Sequence, residues 1–356
     1  MKDNVKNICE QFNIDSKIDT VSELNSGFIN DTYLATTASG NQYVLQRINT
    51  IVFKDVENVI ANKVLISEHL SNSKSKYKAV RFIKTCNNKP YYKDSKSNYW
   101  NLMTYIPNSI THDVATNSNL VEEAGKLYGD FIIQAADLDL DKLVETLPDF
   151  HSIPLRYKQF EEALKNAKDE TKNNAIDEIE FIIKCREEMH ELSKLKDNNK
   201  FPIRVTHNDA KLSNILFDKD DKGLAVIDLD TVMPGIVAFD FGDSIRSICT
   251  TTVEDDTNLK ATKINLEFYK AFCKGFAETA KHILTPAEIK YLPLGAKTIT
   301  FIMGLRILTD YLNNNIYYKV DYETHNLVRA KNQFKLVKSI QENYKTMQQI
   351  TATIFA

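Results

Sequence analysis

The stretch that most constrains this chain is residues 207–230, HNDAKLSNILFDKDDKGLAVIDLD. Asp209 is followed five residues later by Asn214 and 19 residues later by Asp228. Between them lie an apolar run (215–217), a charged turn with Gly223 and a second apolar run (224–227). This pattern reads as a hairpin that brings Asn214 and Asp228 together. An Asp beside an acceptor hydroxyl, then an Asn, then an Asp at a strand end are the working parts of a phosphoryl-transfer site. The first takes the hydroxyl proton, and the other two hold hard cations through oxygen beside nucleotide phosphates. Such a motif also recurs in surface turns, so its context decides. Here the strand IRVT (203–206) delivers the loop, and IDLD ends in a carboxylate at the required place. Asp209 is therefore read as catalytic base, and Asn214 and Asp228 as metal ligands. His207 is read as a tie for the loop backbone rather than a proton carrier.

The rest of the chain is read around that stretch. Residues 21–34 give a strand, a Ser-Gly turn and a strand, and Gln42–Ile48 a third. A nucleotide flap belongs at this turn, where backbone N–H groups approach phosphates. Only Gly27 is glycine there, and Ser26, Gly27 and Asn30 are the candidates. On the third strand Arg47, with Gln46 beside it, is the best available basic residue to pair with the phosphates. A helix over 54–70 offers Glu57 or Glu68 as its supporting carboxylate. Two further strands fall within 74–98, and YWNLMTYIPN (99–108) ends the sheet, with Met103 and Tyr105 on a hinge that meets adenine and Pro107 closing the strand. The pattern then turns helical, with apolar residues recurring from Leu120 to Ile132, from Tyr157 to Leu164 and from Ile176 to Ile183. The segment LPDFHSIPLRY (147–157), which includes His151, reads from its spacing as a rigid connection.

Beyond the catalytic stretch, Asp240-Phe241-Gly242 spells a motif that elsewhere binds metal. It lies 31 residues after Asp209, so the metal is assigned to Asp228. Asp240, Asp243 and Arg246 form an ion-pair network under the loop or face the acceptor. TPAE (285–288) reads as a capped helix start with Pro in its first turn. In the helix that follows, Arg306 and Asp310 stand four apart, the spacing of a solvated pair. Arg306 is nevertheless set among apolar residues, which favours a ligand contact.

With 356 residues, 43% of them hydrophobic, the chain has enough apolar material for a large core in two lobes. The expected lobes are residues 1–105, which bind nucleotide, and 106–356, which hold the catalytic loop and the acceptor. A net charge of −3 provides no general attraction to nucleic acid or anionic membrane. No apolar run is read as a signal peptide or a membrane span, and the expected location is cytoplasmic. Five cysteines without paired spacing read as reduced structural thiols. The expected assembly is a monomer or weak homodimer.

THNDAKLSNILFD, AVIDLDTVMPG and FDFGDSIR together resemble the aminoglycoside phosphotransferase/choline kinase superfamily. Within it, SGFINDTYL, YVLQRIN, ETLPDFHSIPLRY, GLRILTDYL and HNLVRAKNQFKLV are most similar to the N-acetylhexosamine 1-kinases. The resemblance implies an α+β, bilobal protein-kinase-like fold, with a small antiparallel β lobe carrying one helix and a larger helical lobe. It implies ATP- and magnesium-dependent phosphorylation of the anomeric hydroxyl of N-acetylglucosamine or N-acetylgalactosamine. Arg306 and Tyr317 would contact the sugar, and Asp243 and His151 complete the acceptor set. The departures are the nearly glycine-free flap and Arg47 in place of lysine.

Overall fold

A computed structural model describes residues 2–24 and 29–356. The first lobe opens with α1 (Lys2–Cys9), followed by β1 (Ile18–Glu23), β2 (Asp31–Thr37) and β3 (Gln42–Arg47). Then come α2 (Val56–Ser71), β4 (Phe82–Ile83), β5 (Tyr92–Lys93) and β6 (Tyr99–Thr104). The sheet is antiparallel in the order β1-β2-β3-β6-β4, with β5 also on β6. Its register sets Arg47 opposite Asp31 on one side and Trp100 on the other. Both sheet faces are covered. One buries Tyr33, Leu45 and Trp100 against Val5, Ile8 and Cys9 of α1, a helix additional to the single one expected in this lobe. The other receives α2, whose Lys63 meets Gln46 of β3.

The second lobe is mainly helical: α3 (Ser118–Gln134), α4 (Ile153–Asn166), α5 (Asp169–Asn174), α6 (Ile176–Met189) and α7 (Glu191–Asp197). The catalytic stretch is built on β7 (Arg204–Thr206), the hairpin β8 (Ile215–Phe217) with β9 (Gly223–Val226), and β10 (Met233–Gly235), which pairs back onto β7. It is followed by α8 (Val237–Ile248), α9 (Leu266–Ala280), α10 (Pro286–Leu312) and α11 (His325–Phe355). The start of α10 has the expected capping box: the Thr285 side chain accepts from the Glu288 backbone, and the Glu288 carboxylate accepts from the Thr285 backbone.

One correction concerns α10. By length and composition it is apolar enough to cross a bilayer, contrary to the sequence expectation that no run is. Here it is a core helix, with Leu294, Ile299, Phe301, Ile302 and Leu305 buried among residues of α4, α6 and α11. Its apolar character on every side comes from being surrounded by protein.

Candidate active site

The catalytic loop leaves β7 and is held by groups beneath it. The backbone N–H groups of His207 and Asn208 both donate to the Asp240 carboxylate at 2.7 Å. Asp240 thus takes the supporting one of its two anticipated roles. Asn208 sits in the left-handed region at φ +62°, a conformation Asn tolerates better than most residues. Its side chain donates to the carbonyl of Thr231 at 3.1 Å. His207 is fully buried and bonds the Ile227 carbonyl through Nε2 at 2.9 Å, which ties the loop to the end of β9. The carbonyls of Ala210 and Lys211 accept from Ser244 Oγ and Tyr128 OH at 2.8 and 2.7 Å.

This scaffold brings the three motif residues together. Asn214 donates its amide N–H to the Asp209 carbonyl at 2.8 Å and to Asp209 Oδ2 at 2.9 Å. The Ile227 N–H donates to the Asn214 carbonyl at 2.9 Å, and Asp228 follows directly. Lys211, missed in the sequence reading, donates from Nζ to Asp209 Oδ2 at 2.7 Å. The signal was inside the motif, two residues after the Asp. Withdrawal from water raises the Asp209 pKa, but attraction to Lys211 and hydrogen bonds from Lys211 and Asn214 outweigh it and hold the carboxyl down at about 2.

Asp228 has the opposite balance. Desolvation and the neighbouring Asp230 push its carboxyl up to about 7, against the pull of Lys211. It sits in the left-handed region at φ +62°, and its side chain makes no cap to the turn that follows. A divalent cation fits this donor set. Asn214 commits its N–H donors and keeps Oδ1 open, and crowded carboxylates need a counter-charge. Among the described residues no group of three or more His, Cys, Asp or Glu closes into a cage. One carboxylate and one amide oxygen suit magnesium, which fills its shell with water and substrate phosphates.

The nucleotide side departs from expectation in three places. Arg47 is corrected: it pairs with Asp31 and lies 5.8 Å from the Trp100 ring, on the α1 face of the sheet. Successive residues of a strand face opposite sides, so Gln46 is the one that faces α2. Glu68 is exposed and lines a cavity with Ser71, Arg81, Phe82 and Pro90, so it supports no strand cation. Glu57, the other contender, accepts from Tyr99 OH at 3.3 Å at the surface. The residue buried between sheet and loop is Lys63, which donates to Gln46 Oε1 at 2.7 Å and pairs with Asp230. It was legible as one charge in the apolar stripe of Val56, Val59, Ile60 and Ile66. Asn30 also meets Asp230 and accepts from the Asn49 N–H at 2.8 Å. Ser26 and Gly27 lie outside the described residues. Met103 and Tyr105 stand where β6 ends and the chain leaves the sheet, and the Tyr105 N–H donates to Gln42 at 3.3 Å.

On the acceptor side, Arg306 lies within electrostatic reach of Asp209 and has Tyr317 and Tyr318 about it. Its guanidinium is 5.0 Å from the Phe150 ring and 6.0 Å from that of Tyr317. The surface pair with Asp310 is not formed. Asp310 instead accepts from the backbone N–H groups of Tyr317 and Tyr318 at 2.8 and 3.0 Å, which fixes the loop that presents both rings. His151 is buried between Phe150 and Phe239, and neither ring nitrogen has a hydrogen-bond partner. Burial and the charges of Arg306 and Arg156 hold its pKa down at about 3, so the ring is neutral. Arg156 donates to the Phe150 carbonyl at 2.6 Å, and its buried Nε has no partner. Asp243 is not open to an acceptor as anticipated. It is buried and takes Arg246 Nε at 2.8 Å, and Arg246 goes on to Glu254.

Comparison with known proteins gives these parts a frame. The model of the phosphotransferase enzyme family (APH) matches residues 20–272. Among solved structures, the fold is similar to a microcompartment-associated aminopropanol kinase, with a TM-score of 0.68 at 12% identity over 97% of this chain and 98% of that one. It is also similar to an aminoglycoside phosphotransferase from Alicyclobacillus acidocaldarius, with a TM-score of 0.62 at 13% identity over 96% of each chain. A choline kinase from Cryptosporidium parvum aligns with a TM-score of 0.59 at 12% identity over 99% of each chain.

Proposed function

The chain belongs to the phosphotransferase enzyme family, and from that premise we propose that it phosphorylates the anomeric hydroxyl of an N-acetylhexosamine, using ATP and magnesium. The observation that carries the acceptor is the charge near Asp209. Arg306 lies within electrostatic reach of Asp209 with Arg156 beside it, and their direct contacts are a thioether, aromatic rings, a carbonyl and a glutamine amide rather than carboxylates. Burial, with the Arg306 charge second, lowers the Arg156 guanidinium to about 10, while at Arg306 burial is outweighed by the neighbouring tyrosines and Asp209, which raise it. A cationic acceptor such as choline or an aminoglycoside would add a third positive charge to this set. Of the nearby carboxylates, Asp243 is neutralised by Arg246 and Asp310 is spent on loop N–H groups, while Asp209 and Asp149 attract Arg306 and Arg156 from a distance. Arginine only donates, so hydroxyl and acetamide oxygens of a neutral sugar match it, and the neutral His151 adds one donor and one acceptor.

In this reading Asp209 holds the sugar hydroxyl and receives its proton, while Lys211 keeps the carboxylate ionised. Asn214 and Asp228 would hold magnesium, which when bound neutralises charge on the phosphate oxygens. The loose transition state needs little covalent help, so positioning and charge neutralisation carry the rate. The test is turnover with ATP, magnesium and a panel of N-acetylglucosamine, N-acetylgalactosamine, free hexoses, choline, ethanolamine and kanamycin, with products identified by phosphorus NMR. An anomeric phosphate on an N-acetylhexosamine is the expected outcome. Product from cationic acceptors alone would discard the sugar. Asp209→Asn should lower kcat by about 10²- to 10⁴-fold, the range for a proton-accepting group, with Mg-ADP affinity unchanged.

A further inference from the structure

Sites of this kind usually carry their phosphate-pairing cation on the third strand and its supporting carboxylate on the following helix. Here the two positions are exchanged in character. The strand residue facing the helix is Gln46, and the helix residue facing the strand is Lys63. We propose that Lys63 is the cation that binds the nucleotide phosphates in this enzyme, with Gln46 and Asp230 as its positioning partners. The proposal rests on the nucleotide part of the reading above and is independent of the acceptor.

Three observations point the same way. First, the Lys63 side chain is only 2% exposed, an environment lysine occupies almost solely when paired. An ion pair serving only as a strut gains little over apolar packing, because both charges must be desolvated. Second, its surroundings are those of a phosphate site. Asp230 is two residues beyond Asp228 and also meets Asn30 at the entry to β2, so the ammonium lies between Gln46 on the sheet and the loop that carries Asp228. Third, its donors are not exhausted. An ammonium has three N–H groups; Gln46 accepts one, Asp230 pairs with the charge, and the other described neighbours are the Phe82 ring at 5.5 Å and Asp228 within electrostatic reach. The neutral Gln46 orients the ammonium without adding a second counter-charge to that of Asp230. Arg47 cannot serve, since it lies on the α1 face.

The experiment measures Mg-ADP binding by calorimetry in wild type, Lys63→Gln, Arg47→Gln and the exchange variant Gln46→Lys/Lys63→Glu. Loss of a charge-assisted hydrogen bond predicts a Kd raised about 10- to 100-fold in Lys63→Gln. Arg47→Gln should bind as wild type does, and the exchange variant should recover most of the affinity. In parallel, the wild-type protein is treated with an acyl phosphate of ADP. The lysine amine attacks the acyl carbon, an amide forms, and the nucleotide leaves with the bonding electron pair. Mapping should find Lys63 acylated and protected by excess Mg-ADP, a result that does not depend on any variant folding. An unchanged Kd in Lys63→Gln, or acylation confined to Lys211, would overturn the proposal for Lys63 alone. Wild-type protein that binds no Mg-ADP would instead remove the nucleotide reading and this proposal with it.

Discussion

Burial alone would favour the protonated form of Asp209, yet its carboxyl is held at about 2 because Lys211 stands 2.7 Å away. The lysine therefore sets when Asp209 can work. The group acts ionised, and in the wild type it protonates only well below pH 4, so it contributes no acid limb to kcat above that pH. Removing Lys211 deletes the terms that lower the pKa and leaves the desolvation that raises it. The sign follows: Lys211→Met moves the Asp209 pKa upward, and kcat gains an acid limb at higher pH. The profile should be taken at saturating magnesium and nucleotide, because in the proposed reading a metal held by Asp228 would suppress proton competition there. A Lys211→Met enzyme of lower activity but unaltered pH profile would show that Lys211 does not govern Asp209.

At the scale of elements, the loop is placed by the crossing of α8 over α10, where the backbones touch. A Cβ added to Gly295 would lie 2.1 Å from the Ala238 carbonyl oxygen, and one added to Gly242 would lie 2.4 Å from that of Gly295. Alanine in place of glycine inside a helix usually gains about 1 kcal/mol. Here the clashing atoms are backbone and cannot turn aside, so overpacking dominates at about 1–3 kcal/mol. Gly295→Ala should lower the thermal midpoint. It should also lower kcat, because α8 carries the Asp240 carboxylate under His207 and Asn208. An unchanged midpoint would show that the crossing relaxes freely. The same elements explain what could be read beforehand. The β8–β9 hairpin was legible because its turn residues and apolar runs fix the Asn214–Asp228 approach locally. The helix α8 was not identified from VAFDFGDSIRSI although Asp240, Asp243, Ser244 and Ser247 recur at helical spacing, because the two carboxylates read as a charge network and the stripe is buried under the loop rather than turned to solvent. The third strand failed in a related way: with α1 on one sheet face and α2 on the other, Leu45 and Val44 are both apolar, and alternation cannot tell whether Gln46 or Arg47 looks into the cleft. The apolar setting of Arg306 already favoured a ligand contact, whereas its meeting with His151 could not be read, because it depends on three separate segments packing together.

At the scale of the whole molecule, α2 belongs to both lobes. Val56, Val59 and Ile60 of its apolar stripe pack with Ile48 just beyond β3, and Ile66 joins the core of the other lobe. Asn62 reaches that lobe too, donating to the carbonyls of Val144 at 2.8 Å and Val232 at 3.1 Å and accepting from the Val144 N–H at 3.1 Å. Asn62 is 2% exposed and the Val232 end is fully buried, whereas Val144 lies at the surface. Val232 closes the turn that follows Asp228, Leu229 and Asp230, and Lys63 is the next residue along the helix. The carboxamide therefore fixes the height of α2 over the metal-binding loop as well as joining the lobes. Asn62→Ala leaves the buried Val232 carbonyl unsatisfied, at about 1–3 kcal/mol, and opens the N–H and carbonyl of the exposed Val144 to water. The expected outcome is a lower thermal midpoint and faster hydrogen exchange at the Val144 amide, with Mg-ADP binding weakened because Lys63 loses its anchor beside Asp230. Asn62→Asp is the sharper comparison, since it preserves the acceptor for the Val144 N–H while turning a carboxylate toward two carbonyls. If α2 were held by its apolar stripe alone, both variants would match the wild type in nucleotide affinity; if the carboxamide sets its position, Asn62→Asp keeps the Val144 amide protected and still loses nucleotide affinity.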